Sequence, residues 1–213
     1  MSSTRVPWPQ FSRSLVAILR GIRPEEVESV VSELIEAGFE AIEIPLNSPD
    51  AFRSIETAVR LGSDRHWIGA GTVLSVENVD RLADVGGRLL VSPNVDSGVL
   101  RRAGEHGMLT MPGVFTPTEA FQALAAGASA LKFFPASVLG PAGVSAIRAV
   151  LPKDCEVGVV GGVSEKDFEA FSKVGVRSFG LGSSLYKPGM TSQEIRVRAD
   201  ETVLLYDRIF GLG

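Results

Sequence analysis

One pattern recurs along this chain and narrows the folds open to it: a helical stretch, a glycine, then four to six apolar residues. It reads EAGFEAIEIPL, DVGGRLLVSP, EHGMLTMPG, AAGASALKFFP and KVGVRSFGLG. Gly38, Gly86, Gly107, Gly127 and Gly175 stand where a helix closes on a left-handed residue, a conformation that glycine takes freely. The apolar runs are too short for helices and read as strands buried on both faces, as in a parallel sheet. Helix starts are marked as well. Ser48-Pro49 reads as a cap followed by a first-turn proline, and Thr116-Pro117-Thr118-Glu119 as a capping box with proline in place.

Extending the pattern predicts strands near residues 15–19, 40–46, 67–71, 89–92, 108–112, 129–134, 156–160 and 177–182, each followed by a helix, the last over about 191–209. Eight such alternations predict an α/β chain folded as a single (β/α)8 TIM barrel. A doubly wound sheet with fewer true strands is the alternative. The 213 residues suit one barrel domain, with residues 1–12 as a loose lead-in or short helix.

Composition closes off several function classes. Hydrophobic residues make up 45% and charged residues 22%, so a packed core rather than disorder is expected. A net charge of −4, with acids and bases interspersed, provides no basic face for nucleic acid. The single Cys155 rules out an internal disulfide and suits a reducing compartment. The opening MSSTRVPWPQ is not apolar enough for a signal peptide, and no run approaches a membrane span. A cytoplasmic protein without membrane contact is expected. The two histidines, His66 and His106, fall near strand starts, the wrong end of a barrel for chemistry, so no catalytic metal is expected.

Of only five lysines, Lys132 alone lies inside a strand-like apolar run, ALKFF. Burying an ammonium costs several kcal/mol unless it is paired or loses its charge. Lys132 alternates with Leu131 and Phe133, and Glu43 alternates with Ile42 and Ile44, so both point into the barrel near its active end. The pair reads either as a structural ion pair or as a Schiff-base lysine with a carboxylate acid/base. A free lysine is neutral in only about one of a few thousand molecules at pH 7, and an apolar pocket favours that nucleophilic form.

Other strand ends add a ligand. Gly161-Gly162 follows the seventh strand, and Gly182-Ser183-Ser184 the eighth. Either is ordinary turn chemistry alone; in consecutive units they suit a phosphate held by backbone N–H groups. Arg20 ends the first strand as a solvated loop residue or a carboxylate clamp. Thr72 reads as a turn cap or a substrate hydrogen bond, and Phe134 as core or pocket wall.

These motifs resemble a known family along Leu15 to about Phe210: ILRG (18–21), EIPLNSP (43–49), GAGTVL (69–74), PGVFTPTEA (112–120), LKFFPA (131–136), VGGV (160–163) and GLGSSLY (180–186). Together they are similar to the bacterial 2-keto-3-deoxy-6-phosphogluconate/galactonate aldolases, class I enzymes on small (β/α)8 barrels. The resemblance implies Lys132 as Schiff-base former and Glu43 as proton shuttle. It implies Arg20 and Thr72 on the keto-acid end, and Gly161, Gly162, Gly182 and Ser183 on the phosphate, with Ser184 a further candidate. It implies no cofactor, a phosphorylated sugar-acid substrate and a homotrimer. Asn47 and Val160 stand where the gluconate branch usually has arginine and threonine, so the galactonate branch is expected. Cleavage would yield pyruvate and glyceraldehyde 3-phosphate. The gluconate epimer, a phosphosugar isomerase or epimerase on the same barrel, and a non-catalytic phosphosugar sensor are the alternatives.

Overall fold

Eight parallel strands close on themselves in sequence order. They are β1 (Leu15–Ile18), β2 (Ala41–Pro45), β3 (Trp67–Gly71), β4 (Leu89–Ser92), β5 (Leu109–Val114), β6 (Leu131–Phe133), β7 (Val157–Val160) and β8 (Ser178–Leu181). The computed structural model describes residues 5–212. The helices are α1 (Val27–Ala37), α2 (Ala51–Leu61), α3 (Val76–Asp84), α4 (Ser97–Glu105), α5 (Pro117–Ala125), α6 (Ala136–Arg148), α7 (Phe168–Ser172) and α8 (Ser192–Phe210). Short 3₁₀ turns at Pro24–Glu26 and Glu165–Asp167 lead into α1 and α7. The expected (β/α)8 barrel is therefore the observed one. Each predicted strand is present, β3 and β4 with the predicted ends and the others with ends shifted by no more than two residues, as is usual where hydrogen bonding frays.

Two apolar layers follow from the strand period of two. Val16, Ala41, Leu89, Val91, Leu109, Met111 and Ala130 fill the barrel interior, whereas Leu15, Ala17, Ile42, Ile44, Leu131 and Phe133 pack outward against the helices. Both layers are buried, which is why the strands read as continuous apolar runs. The interior layer occupies the N-terminal half of the barrel and leaves the C-terminal mouth to Glu43 and Lys132. Helix closure follows the glycine pattern: Gly38 ends α1 at φ 101, and its N–H returns to Ile35 O. Gly86, Gly107, Gly127 and Gly175 also have positive φ.

Two local expectations change. Ser48-Pro49 does not start α2, which begins at Ala51 with Asp50 as its cap at φ 41. Ser48 Oγ instead accepts the Gly21 N–H at 2.9 Å, so a neighbouring loop has taken the hydroxyl that would have capped the helix. Thr116 does cap α5, with its Oγ1 accepting Glu119 N–H at 3.3 Å and Glu119 Oε2 accepting Thr116 N–H at 2.8 Å. Within the lead-in, residues 1–4 lie outside the described residues, and residues 5–12 form no helix. They are not loose: Val6, Trp8 and Phe11 pack with Trp67 onto the interior layer, and the Trp8 and Phe11 rings meet edge to face at 5.5 Å. Among the described residues, no helix is long and apolar enough to cross a membrane.

Candidate active site

Lys132 is central to β6, and its lateral neighbours on β5 and β7 are Gly113 and Gly158. In parallel strands such neighbours point the same way, so two glycines leave the lysine space on both sides. Glu43 on β2 lies beside Ile18 on β1 and Gly69 on β3. Lys132 is 6% exposed and Glu43 3% exposed, yet they form no contact ion pair within 4 Å. Glu43 Oε2 is buried without a hydrogen-bond partner. Lys132 Nζ lies 4.8 Å from the centroid of the Phe134 ring, next to the cis Phe134–Pro135 peptide bond.

Burial dominates the protonation of both groups. It pushes the Glu43 carboxyl up to about 7, against the opposing pull of the Lys132 and Arg20 charges. Burial likewise pushes the Lys132 amine down to about 8; Glu43 resists this and Arg20 reinforces it. On the order of one amine in ten is then neutral at pH 7, against one in a few thousand for a free lysine. The two groups titrate as a pair near neutrality, able to exchange protons with a bound molecule.

Glu43 and Lys132 do not line the neighbouring cavity of about 350 Å³, but each has a neighbour that does: Phe134, whose ring faces Lys132 Nζ, and Ile18, the lateral partner of Glu43. This cavity brings together seven of the residues singled out from the sequence: Arg20, Phe134, Val160, Gly161, Gly162, Gly182 and Ser183. Gly161 and Gly162 take φ of 91 and 69, and a Cβ on Gly161 would press on the Phe134 ring at 2.9 Å. Asn47, Thr72 and Ser184 lie outside this lining. Asn47 Oδ1 accepts a hydrogen bond from Arg20 Nη1 at 2.7 Å. Thr72 takes φ 57 at the end of β3, a conformation costly for a β-branched residue. Ser184 Oγ donates to Val163 O at 3.3 Å, tying the loop after β8 to the loop after β7. Phe134 also walls a second cavity of about 270 Å³ that reaches Asn94, Gly113 and Gln122.

Three further residues shape the site and escaped the sequence reading. A Cβ at Gly71 would collide with Glu43 Oε2, so this glycine makes the room the carboxylate occupies. A Cβ at Gly180 would lie 2.6 Å from Val160 Cγ2 and 3.3 Å from Ile18 Cδ1, so Gly180 lets these two side chains meet as an apolar floor. Ile18 carried a usable signal, since it alternates with Val16 and Arg20 on the inward face. Gly71 and Gly180 did not, because a close approach across strands is invisible in one strand's pattern.

The histidines lie elsewhere. His66 directly precedes β3, and His106 follows α4 with its Nε2 2.8 Å from Asp80. Burial holds the Cys155 thiol up at about 11, which disfavours its thiolate form at neutral pH.

Residues 12–197 match the family model for KDPG and KHG aldolase. A probable 2-dehydro-3-deoxy-6-phosphogalactonate aldolase of Rhizobium meliloti (strain 1021) is 64% identical over 97% of this chain and 98% of its own. The 2-dehydro-3-deoxy-6-phosphogalactonate aldolase of Escherichia coli (strain K12) is 48% identical over 92% of this chain and 96% of its own. A solved structure described as native KDPGal superposes with a TM-score of 0.93 at 46% identity, covering 96% of this chain and 99% of that one.

Proposed function

The chain belongs to the KDPG and KHG aldolase family, and on that premise we propose that it is a class I aldolase cleaving 2-dehydro-3-deoxy-6-phosphogalactonate into pyruvate and glyceraldehyde 3-phosphate. The observation that carries this reading is the buried, unpaired Lys132 against Phe134, a wall of the cavity that two glycine loops and an arginine also line. A structural ion pair would place Lys132 and Glu43 in contact; here the amine faces an aromatic ring and the carboxylate has a free oxygen.

In this mechanism the neutral Lys132 amine attacks the C2 ketone, and loss of water from the carbinolamine leaves an iminium. Glu43, with its carboxyl held near neutrality by burial, carries the protons of this step. It then takes the proton of the C4 hydroxyl as the C3–C4 bond breaks. The bonding pair moves into the iminium, which becomes an enamine while the aldehyde departs. Return of a proton to C3 and addition of water to the iminium release pyruvate and restore the amine.

Arg20 and Thr72 hold the keto-acid end. The backbone N–H groups around Gly161, Gly162, Gly182 and Ser183 hold the phosphate. Ser184 acts as a strap between those loops rather than as a ligand. Phe134 is the wall against which the reacting carbons lie. Val160, on the apolar floor with Ile18, favours the galactonate epimer by offering no partner to the other C4 hydroxyl. A phosphorylated substrate that does not cross membranes supports a cytoplasmic enzyme. Exposed Leu74, Val76, Phe115 and Phe121 support self-association, for which the homotrimer implied by the family resemblance is our reading.

Borohydride reduction in the presence of pyruvate, followed by peptide mass mapping, tests the reading. A reduced pyruvyl adduct on Lys132 is expected. No adduct on folded protein would sink the covalent mechanism and leave Glu43 as the base of a phosphosugar isomerase.

A further inference from the structure

Arg20 is a long, exposed side chain that must place a planar cation at one point of the cavity rim. Arginine side chains are flexible, and a free one loses much rotamer freedom on binding. Here the loss is anticipated. Arg20 Nη1 donates to Asn47 Oδ1 at 2.7 Å, and Asn47 is the only hydrogen-bond partner of the guanidinium among the described residues. The backbone around both residues is pinned. Leu46 N–H donates to Gly71 O at 2.8 Å, and Ser48 N–H to Pro45 O at 2.9 Å, so Asn47 sits in a turn secured on either side. Ser48 Oγ in turn accepts Gly21 N–H at 2.9 Å. Gly21, at φ 83, passes so close to the loop after β8 that a Cβ would lie 2.9 Å from Pro188 Cγ. The turn carrying Arg20 is thus held between two neighbouring loops.

We propose that Asn47 is the positioning residue of Arg20: it holds one edge of the guanidinium so that the remaining donors face the carboxylate of the keto acid. This inference rests on the aldolase reading, since it presumes that a 2-keto carboxylate is what Arg20 meets. The chemistry of the amide is part of it. A carboxylate at position 47 would also hold the guanidinium but would neutralise it; an amide oxygen orients the cation and leaves its charge for the substrate. The same charge reaches deeper, because Arg20 favours the neutral form of Lys132 and the ionised form of Glu43. A fixed Arg20 therefore serves both binding and the state of the reacting pair.

The test uses pyruvate alone, so the phosphate loops do not contribute. The pyruvate concentration giving half-maximal borohydride trapping is measured for the full-length wild type, Asn47→Ala, Asn47→Ser, Arg20→Met and the Arg20→Met/Asn47→Ala double variant. Asn47→Ala is expected to raise that concentration about tenfold while the adduct still reaches the wild-type level at saturation. Asn47→Ser, which is also too short to reach Arg20, is expected to do the same and carries the test if the alanine variant does not fold. Arg20→Met is expected to cost more, and the double variant no more than Arg20→Met alone. That lack of additivity is what a merely structural Asn47 would not produce. A half-maximal concentration within twofold of wild type in the single Asn47 variants overturns the inference and leaves the aldolase reading in place. So does a double variant in which the two losses multiply. No adduct in the wild type removes the aldolase reading and this inference with it.

Discussion

Replacing Lys132 with methionine should inactivate the protein and at the same time stabilise it. Methionine has a similar length and no charge, and suits a strand that is apolar on both sides. The magnitude follows from the displaced amine. Its pKa falls from 10.5 to about 8 in the folded state. At roughly 1.4 kcal/mol per unit, holding the lysine in the barrel at pH 7 costs on the order of 3 kcal/mol. Glu43 does not forfeit that gain when its neighbour is removed, because burial already raises its pKa to about 7 and it then simply stays protonated.

The sign is also fixed. Between pH 8 and 10.5 the unfolded lysine binds more protons than the folded one, so wild-type stability should rise across that window. Lys132→Met should lack the rise. Urea unfolding at pH 7 and at steps up to pH 10, with the exposed Lys153→Met as control, measures both effects. A chain of this size should gain roughly 5–10 °C in melting temperature at pH 7. A variant no more stable than wild type at pH 7, or one with the same slope above pH 8, would refute the argument that burial of an unpaired amine governs this residue. Appreciable remaining cleavage would separately refute its role as nucleophile.

Glu43→Gln removes a carboxyl whose folded pKa lies above its ordinary 4.5, so the wild type's loss of stability from about pH 4.5 to 7 should vanish in the variant; turnover should drop by about 10²- to 10⁴-fold, read by coupled assay of the aldehyde product. Val160→Thr puts a hydroxyl on the apolar floor of the cavity and should raise activity on the gluconate epimer relative to the galactonate one; an unchanged epimer ratio in kcat/KM would remove Val160 from the specificity argument. Thr72→Gly should relieve the strained φ of 57 and raise stability by about 1 kcal/mol or less, since glycine's own entropy offsets part of the relief. The same variant should raise KM, because the hydroxyl is gone; lower stability in a urea melt would show that the side chain is needed for packing.

The barrel was legible in the sequence because its strands are buried on both faces and its helices close on glycines. Each of those is a local requirement that a single stretch of chain must meet by itself. Lys132 and Glu43 were legible for the same reason: a charge within an apolar alternation breaks a local rule, and the break is visible without knowing what lies across the barrel. The glycine loops after β7 and β8 were legible as turns, and their recurrence in consecutive units suggested the phosphate.

Ser48-Pro49 shows where that reasoning stops. The dipeptide has the chemistry of a helix cap, but the Gly21 N–H arrives from another loop and takes the hydroxyl. The sequence offers Asn47 as a substrate-binding or specificity residue but hides its bond to Arg20, which joins loops 27 positions apart. Ser184 stands in the sequence as a further candidate for the phosphate, and its bond to Val163 O is visible only in the fold. Composition and period thus determined the element order, the closed parallel barrel and the identity of the two oppositely charged groups that its interior buries. The tertiary structure alone decided how far those groups stand apart, which glycines make room for them, and which polar side chains are spent on neighbouring loops. The physical reason is that strand and helix preferences act within a few residues, whereas desolvation and hydrogen-bond competition depend on atoms that only folding brings together.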